Sequence, residues 1–191
     1  MTARGIPEHQ QTTVTERTGL KTRIIPTQHE VSLRDDEFIV SKTDTKGRIT
    51  YANRVFMSIA DYSEDRLLGV QHNIIRHPDM PRGVFRFMWN TLKQGDEFFG
   101  YVKNMTARGD YYWVLANVTP DLDENDQLVG YFSVRRKPKR SALDTVIPIY
   151  QEMLALEQRS GPAQAPDASM ALLSDKLKGL GMSYERFVLS I

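Results

Sequence analysis

The chain has 191 residues, 40% of them hydrophobic and 26% charged, a composition that fits one globular domain with appendages and excludes a wholly disordered chain. A formal net charge of +1 supplies no field to drive it onto nucleic acid or an anionic membrane, and no apolar run is long enough for direct membrane insertion. The absence of cysteine excludes disulfides, Cys-ligated zinc, iron–sulfur clusters, covalent haem, a thiol nucleophile and flavin–cysteinyl photochemistry, so any redox or light chemistry must come from a bound cofactor.

The N-terminal segment is polar, rich in Thr and Gln, and lacks the apolar h-region of a secretory signal, so a cytoplasmic location is expected. Residues 1–30 read as a mobile arm, with 19–25 a short strand at most. Residues 37–43 place Phe38 and Val40 on one face of a strand. Asp44-Thr-Lys-Gly47 is a turn, and 48–51 resumes the strand as a hairpin. A short helical pattern over 53–60 carries apolar residues at 55, 56, 59 and 60. Ser63 opens a second helix that stops at Gly69. An irregular stretch over 71–80 ends in Pro81, read as the first residue of a helix carrying Val84, Phe85, Met88, Trp89 and Leu92 and closed by Gly95.

Three strands follow, over 97–105, 110–119 and 127–137, joined by polar turns of hairpin length. The middle one has substantial side chains on both faces, as expected of a strand covered from both sides. Two strands, several short helices and three strands make an α+β fold: a five-stranded antiparallel sheet with short helices on one face, walling a pocket against it. Residues 141–157 form an amphipathic helix that Pro148 should kink or restart. Residues 159–166 read as a linker, and 167–180 and 184–189 as two short helices. The domains expected are thus an arm over 1–30, a sheet-and-helix domain over 31–140 and a helical extension over 141–191. Leu143, Ile147, Tyr150 and Leu154, with Leu173, Leu177, Phe187 and Val188, leave that extension too apolar to stand in water. It must dock on its own sheet, a second copy or a partner.

His72-Asn-Ile-Ile-Arg76-His77-Pro78-Asp79-Met80-Pro81 is followed in order by Met88-Trp89, Val102-Lys103-Asn104, Asp110-Tyr-Tyr-Trp-Val114, Ala116-Asn117 and Gly130-Tyr131. This series resembles a PAS domain of the aerotaxis-receptor branch over residues 38–136, about half the chain. The resemblance implies a PAS fold and non-covalently bound FAD. It also implies that the redox state of the flavin is passed to a chemotaxis transducer.

Several side chains then become candidates for the cofactor, each beside a plainer reading. Arg76 and His77 suit a pyrophosphate or ribityl chain, since the planar fork of arginine donates two bonds at once. Asp79, matched to the family's cofactor position, reads first as a helix cap, and the tripeptide that it ends also occurs in J-domains, against which the strands at 97–137 argue. Asn53 is either an N-cap or an amide facing the flavin. Asn104 and Asn117 lie in strands, where an inward amide needs a partner; the resemblance favours Asn104. Phe85, Trp89 and Phe99 belong to the aromatic supply, most of which is core; Phe99 stands where the branch has tryptophan. His72 and His77 allow a haem alternative. No metal-spaced cluster and no nucleophile–base pair is present. The basic run Arg135-Arg-Lys-Pro-Lys-Arg140 reads as a solvated strand end, with an acidic partner or lipid headgroups as alternatives.

The expectation is a non-enzymatic, cytoplasmic redox and energy sensor that signals by contact to a separate, membrane-bound chemotaxis transducer, with no nucleic-acid partner. A cofactor-free PAS dimerisation module, working as a homodimer or scaffold, is the alternative.

Overall fold

The computed structural model describes residues 24–191. Its elements are β1 (Phe38–Asp44), β2 (Ile49–Ala52), α1 (Arg54–Ala60), α2 (Glu64–Leu67), a 3-10 turn (His72–Ile75), α3 (Arg82–Lys93), β3 (Phe98–Met105), β4 (Tyr111–Leu122), β5 (Leu128–Arg136), α4 (Arg140–Gly179) and α5 (Tyr184–Ser190). The strands form one antiparallel sheet in the order β2-β1-β5-β4-β3, as expected.

Strand alternation sorts the sheet into two faces. Ile39, Tyr112, Val114 and Ala116 pack with Phe56, Ala60, Leu67 and Ile75 of the segment between β2 and α3. On the opposite face Tyr101 and Trp113 meet Leu143, Val146, Tyr150 and Met153 of α4. The β4 residues Tyr112, Trp113 and Val114 are all buried, so this strand is covered from both sides. Helices therefore occupy both faces, the second being the chain's own C-terminal extension.

That extension doubles back. The first half of α4 ends at Gly161, whose φ of 72° and ψ of 157° interrupt the helix; a φ of that sign is open to glycine at little cost. Pro162 follows, as suits the start of a new helix. The linker expected over 159–166 thus contracts to a break at Gly161: Pro162 opens the new helix where its missing N–H has no intrahelical partner, and the Pro162 carbonyl that Pro166 leaves free accepts from the Arg82 guanidinium at 2.8 Å. Pro148 does not restart the helix either: Gly161 alone departs from helical backbone within α4. The second half packs along α3 at Gly83, where an added Cβ would lie 2.6 Å from the Met170 nitrogen and 3.0 Å from the Pro166 carbonyl oxygen. Lys176 Nζ, 2.7 Å from Glu152 Oε2, ties the two halves together. α5 then lies on β3, with the Tyr101 hydroxyl donating to the Val188 carbonyl at 3.2 Å and Tyr184 stacked on Phe98.

The arm expected over 1–30 joins the sheet earlier than its sequence suggests. Thr27 N donates to the Gly109 carbonyl, Val31 N to that of Tyr111, and Tyr111 N to that of His29, all within 2.8–3.0 Å. The backbone of Ile25 passes so close to Gly109 that no Cβ fits there. Asp110 accepts from the Thr27 hydroxyl at 2.6 Å. Residues 1–23, including most of the short strand considered at 19–25, lie outside the described residues.

Candidate functional site

Between the inner face of the sheet and α3 lies a cavity of about 250 Å³. One wall is helical. The amphipathic spacing of α3 turns Phe85, Met88, Trp89 and Leu92 toward it. The other wall is made by inward-facing strand residues, Val102 and Asn104 of β3, Ala116 and Val118 of β4, Tyr131, Ser133 and Arg135 of β5, and Ser41 and Thr43 of β1. Trp89 meets Tyr131 edge-on with ring centroids 5.2 Å apart. The two cationic side chains in the lining are Arg76 and Arg135, and no carboxylate joins them.

Four of the eight residues proposed from sequence for the flavin converge on this cavity, Arg76, Phe85, Trp89 and Asn104, and His72 of the haem alternative lines it with them. Arg76 and Asn104 form an antiparallel bridge between the segment before α3 and β3. The Arg76 guanidinium lies over the Phe85 ring at 4.3 Å and donates to the Met80 carbonyl at 2.9 Å. Burial lowers its pKa, against the field of Glu157. Asn104 is 4% exposed and sits opposite Tyr112 in the β3–β4 register.

His77 and Asp79 stand just outside. His77 lines an adjoining crevice with Asn73, Arg76, Met80 and Arg82. Its Nδ1 accepts from the Asp79 backbone N–H at 3.1 Å, while its Nε2 is buried without a partner. Burial and then Lys103 lower its pKa, with Asp79 opposing, so the ring is neutral at physiological pH. Asp79 receives Lys103 Nζ at 2.8 Å. It does not cap α3, whose N-cap is Pro81 without a side-chain bond. The role expected of Asp79 falls instead to Glu157 of α4, which accepts from the Gly83 N–H at 3.0 Å and from the Ser169 hydroxyl at 2.5 Å. A carboxylate from a distant helix thereby satisfies an orphan donor at the start of α3.

The remaining two lie apart. Asn53 is the N-cap of α1: its Oδ1 accepts from Phe56 N at 3.0 Å and Val40 N at 3.1 Å, and its Nδ2 donates to the Phe38 carbonyl at 2.8 Å. Phe99 points to the opposite side of β3 from Phe98 and is a half-buried member at the edge of the core cluster that contains Tyr101, Trp113 and Tyr150.

The reading of 135–140 as a solvated run holds for Arg136, Lys137, Lys139 and Arg140, which are exposed, and fails at Arg135. Arg135 is 6% exposed and donates from Nη2 to Ser41 Oγ at 3.0 Å and His72 Nε2 at 2.8 Å. Burial and the Arg135 charge hold the pKa of His72 well below its ordinary value, so its Nε2 is an acceptor. Period-two alternation from Tyr131 through Ser133 was the available signal.

A second opening adjoins the cavity, sharing Arg76, Phe85 and Trp89 with it and measuring about 480 Å³. It adds Lys46, Arg82, Arg86 and Lys93, again without a carboxylate in its lining. Nearby, Arg86 Nε lies 3.3 Å from Asp167 Oδ1, and Arg82 donates to the Pro162 carbonyl.

Residues 49–135 match the family model of the PAS fold. This core is a PAS domain. The chain is 40% identical over 129 residues to the aerotaxis receptor of Escherichia coli, an alignment covering 68% of this chain and 25% of the receptor. It is 32% identical over 97 residues to the nitrogen fixation regulatory protein of Klebsiella pneumoniae, covering 51% and 20%. It is 27% identical over 137 residues to the biofilm dispersion protein BdlA of Pseudomonas aeruginosa, covering 71% and 30%. The chain thus spans less than a third of the length of these relatives. In fold, the PAS domain resembles the light-state structure of the blue-light photoreceptor Aureochrome1 LOV, with a TM-score of 0.51, 22% identity and coverage of 58% of this chain and 88% of that one. Among the described residues no helix is long and apolar enough to cross a membrane.

Proposed function

We propose that the PAS domain holds FAD non-covalently and acts as a redox and energy sensor that signals by protein contact, without turning over substrate. The observation that carries this reading is the cavity behind α3. Its helical wall of Phe85, Met88, Trp89 and Leu92 faces a sheet wall on which Val102 and Val118 stand among the polar Thr43, Asn104, Ser133 and Arg135. That is the lining a fused heteroaromatic ring with donors and acceptors along one edge requires. The volume of about 250 Å³ suits a ring system rather than a whole dinucleotide. The adjoining opening, with Arg76, Arg82, Lys46, Arg86 and Lys93, supplies the charge that a pyrophosphate needs. An orphaned buried Arg135 Nη1 fits a ligand rich in acceptors. The 40% identity to an aerotaxis receptor supports the same assignment.

When bound, the flavin supplies a reversible couple whose reduction changes protonation and charge at the ring edge. The residues do the rest. Trp89 and Phe85 exclude water from one face. Asn104 can switch its amide between donating and accepting. Arg76 attracts phosphate at the mouth, while His77 and Asp79 hold the turn that presents it. Asn104 shares β3 with Tyr101, whose carbonyl accepts from Tyr150 of α4 at 2.8 Å and whose hydroxyl reaches α5. A shift of β3 or α3 is therefore felt directly by the C-terminal extension, the element proposed to contact a separate, membrane-bound chemotaxis transducer from the cytoplasm. Such coupling requires two arrangements of the extension close in free energy. A haem reading has less support, because His72 Nε2 is engaged by Arg135 and His77 does not line the cavity.

The test is the absorbance spectrum of freshly purified protein, followed by mass spectrometry of the released ligand. Flavin bands and the mass of FAD are expected. A colourless protein that gains no flavin on reconstitution overturns the assignment and favours a cofactor-free module; a Soret band favours haem.

A further inference from the structure

Arg135 is the least compensated charge in the inner core. At 6% exposed it has lost nearly all its hydration, which a cation surrenders only at great cost unless a counter-charge replaces it. None does. Its hydrogen-bonding neighbours, Ser41 and the neutral His72, are uncharged, and the guanidinium stands 5.5 Å from the Phe56 ring centroid. No carboxylate among the described residues pairs with it, and none lines the cavity. Burial brings its pKa down to about 10, so the group is still a cation at neutral pH. One end of its fork is used and the other is not: Nη1 is buried with no partner. Five donors in a rigid plane, the two on Nη1 idle in a side chain that lines a cavity, mark a site built for something that is not protein.

We infer that Arg135 is the charge-receiving residue of the cavity, its idle Nη1 side meeting the acceptor edge of the occupant that becomes negative on reduction. This rests on the flavin reading, and the edge in question is the pyrimidine edge of the ring. Arg135 is thereby distinct from Arg76, which serves the mouth. The protein keeps an expensive cation in its core because the cation sets how strongly the reduced cofactor is preferred over the oxidised one. Ser41 and His72 are positioning residues that aim the fork.

Three full-length variants test this. In Arg135→Met and Arg135→Gln the charge is gone; in Arg135→Lys it remains without the fork. In flavin-loaded protein the two charge-removing variants are expected to prefer reduced flavin ten- to a hundredfold less than wild type. That is a midpoint potential about 30–60 mV more negative for a two-electron couple, with the lysine variant in between. In ligand-free protein, thermal melting of Arg135→Met is expected at or above the wild-type Tm, because an apolar side chain relieves an uncompensated charge. A potential equal to wild type in either charge-removing variant overturns the assignment. So does an Arg135→Met protein that fails to fold or melts several degrees lower when ligand-free, which makes Arg135 part of the scaffold. If wild type takes up no flavin, the flavin reading fails by itself, and the ligand-free melting comparison still decides whether Arg135 is a charge held ready for an anionic occupant.

Discussion

The two faces of the sheet are built to opposite ends. On the outer face Trp113, Tyr101 and Tyr150 pack with Met153, Leu143 and Val146 in a continuous apolar layer, and the Tyr150 hydroxyl finds the Tyr101 carbonyl. On the inner face the same strands carry Ser41, Asn104, Ser133 and Arg135, all buried, around a cavity of about 250 Å³. Void and buried polar groups both cost stability. The contrast teaches that the sensing face is paid for by the outer face. The C-terminal extension is the stabilising half of one unit, lying against the strands and helix that form the cavity.

The largest effect should come from removing that support. Truncation after Gln158 deletes Ala165, Ser169, Leu173, Leu177, Tyr184, Phe187 and Val188, all buried. Each large apolar side chain contributes roughly 1.5–3 kcal/mol on burial, so the loss approaches the whole stability of an ordinary domain, about 5–15 kcal/mol. The truncated chain is expected to lose its cooperative melting transition and its flavin together. Unaltered melting by circular dichroism would make the extension a passive appendage and dissolve the comparison.

A finer break is Gly83→Ala. The added methyl would run into the Ser169 hydroxyl and lie 2.6 Å from the Met170 nitrogen, forcing the returning half of α4 off α3. Overpacking of this kind costs about 1–3 kcal/mol. The expected outcome is a lower Tm together with faster proteolysis beyond Gly161. A Tm within error of wild type would show that α3 and α4 are loosely coupled.

Arg76→Ala separates mouth from scaffold. Loss of a charge-assisted contact is worth roughly 1.5–3 kcal/mol, so flavin should be retained about ten- to a hundredfold less tightly. Equal flavin content in variant and wild type removes Arg76 from the site. Asn53→Ala makes the opposite test. It breaks a cap with three backbone bonds and should cost about 1 kcal/mol of stability, while leaving the flavin spectrum unchanged. A shifted flavin spectrum in that variant would show that the amide senses the cofactor after all.

What was legible in the sequence follows the range of the physics involved. The hairpin, the five strands and the amphipathic α3 declare themselves through periods of 2 and 3.6, and the ordered series from His72 to Tyr131 carried the family. Arg135 was hidden because a run of five cations in six residues reads by composition as solvent-exposed, whereas alternation from Tyr131 places it inward. The cap on α3 was illegible locally, since Glu157 stands 74 residues from the N–H it accepts. Gly161 was correctly a breakpoint, but Pro162 and Pro166 suggested a linker where Pro162 begins a helix and Pro166 lies within it. The pairing of 27–31 with β4 depends on Gly109 admitting a neighbouring backbone, a contact that no local pattern announces.

The smallest expected effect is also the most discriminating. Asn104 joins both faces of the argument. Its backbone bridges Arg76, its side chain lines the cavity, and its strand contacts the extension through Tyr101. Asn104→Ala leaves the backbone bridge in place, so far-ultraviolet circular dichroism and Tm should stay close to wild type. What it removes is an amide that can either donate or accept. If that amide senses the ring, flavin affinity or midpoint potential should change by less than about tenfold, the scale of one neutral hydrogen bond of roughly 0.5–1.5 kcal/mol. If affinity and potential both stay fixed, Asn104 acts through its backbone alone, as the strand residue that pins Arg76. The link between the sensing face and the outer face must then run through α3, where Gly83 and Glu157 meet.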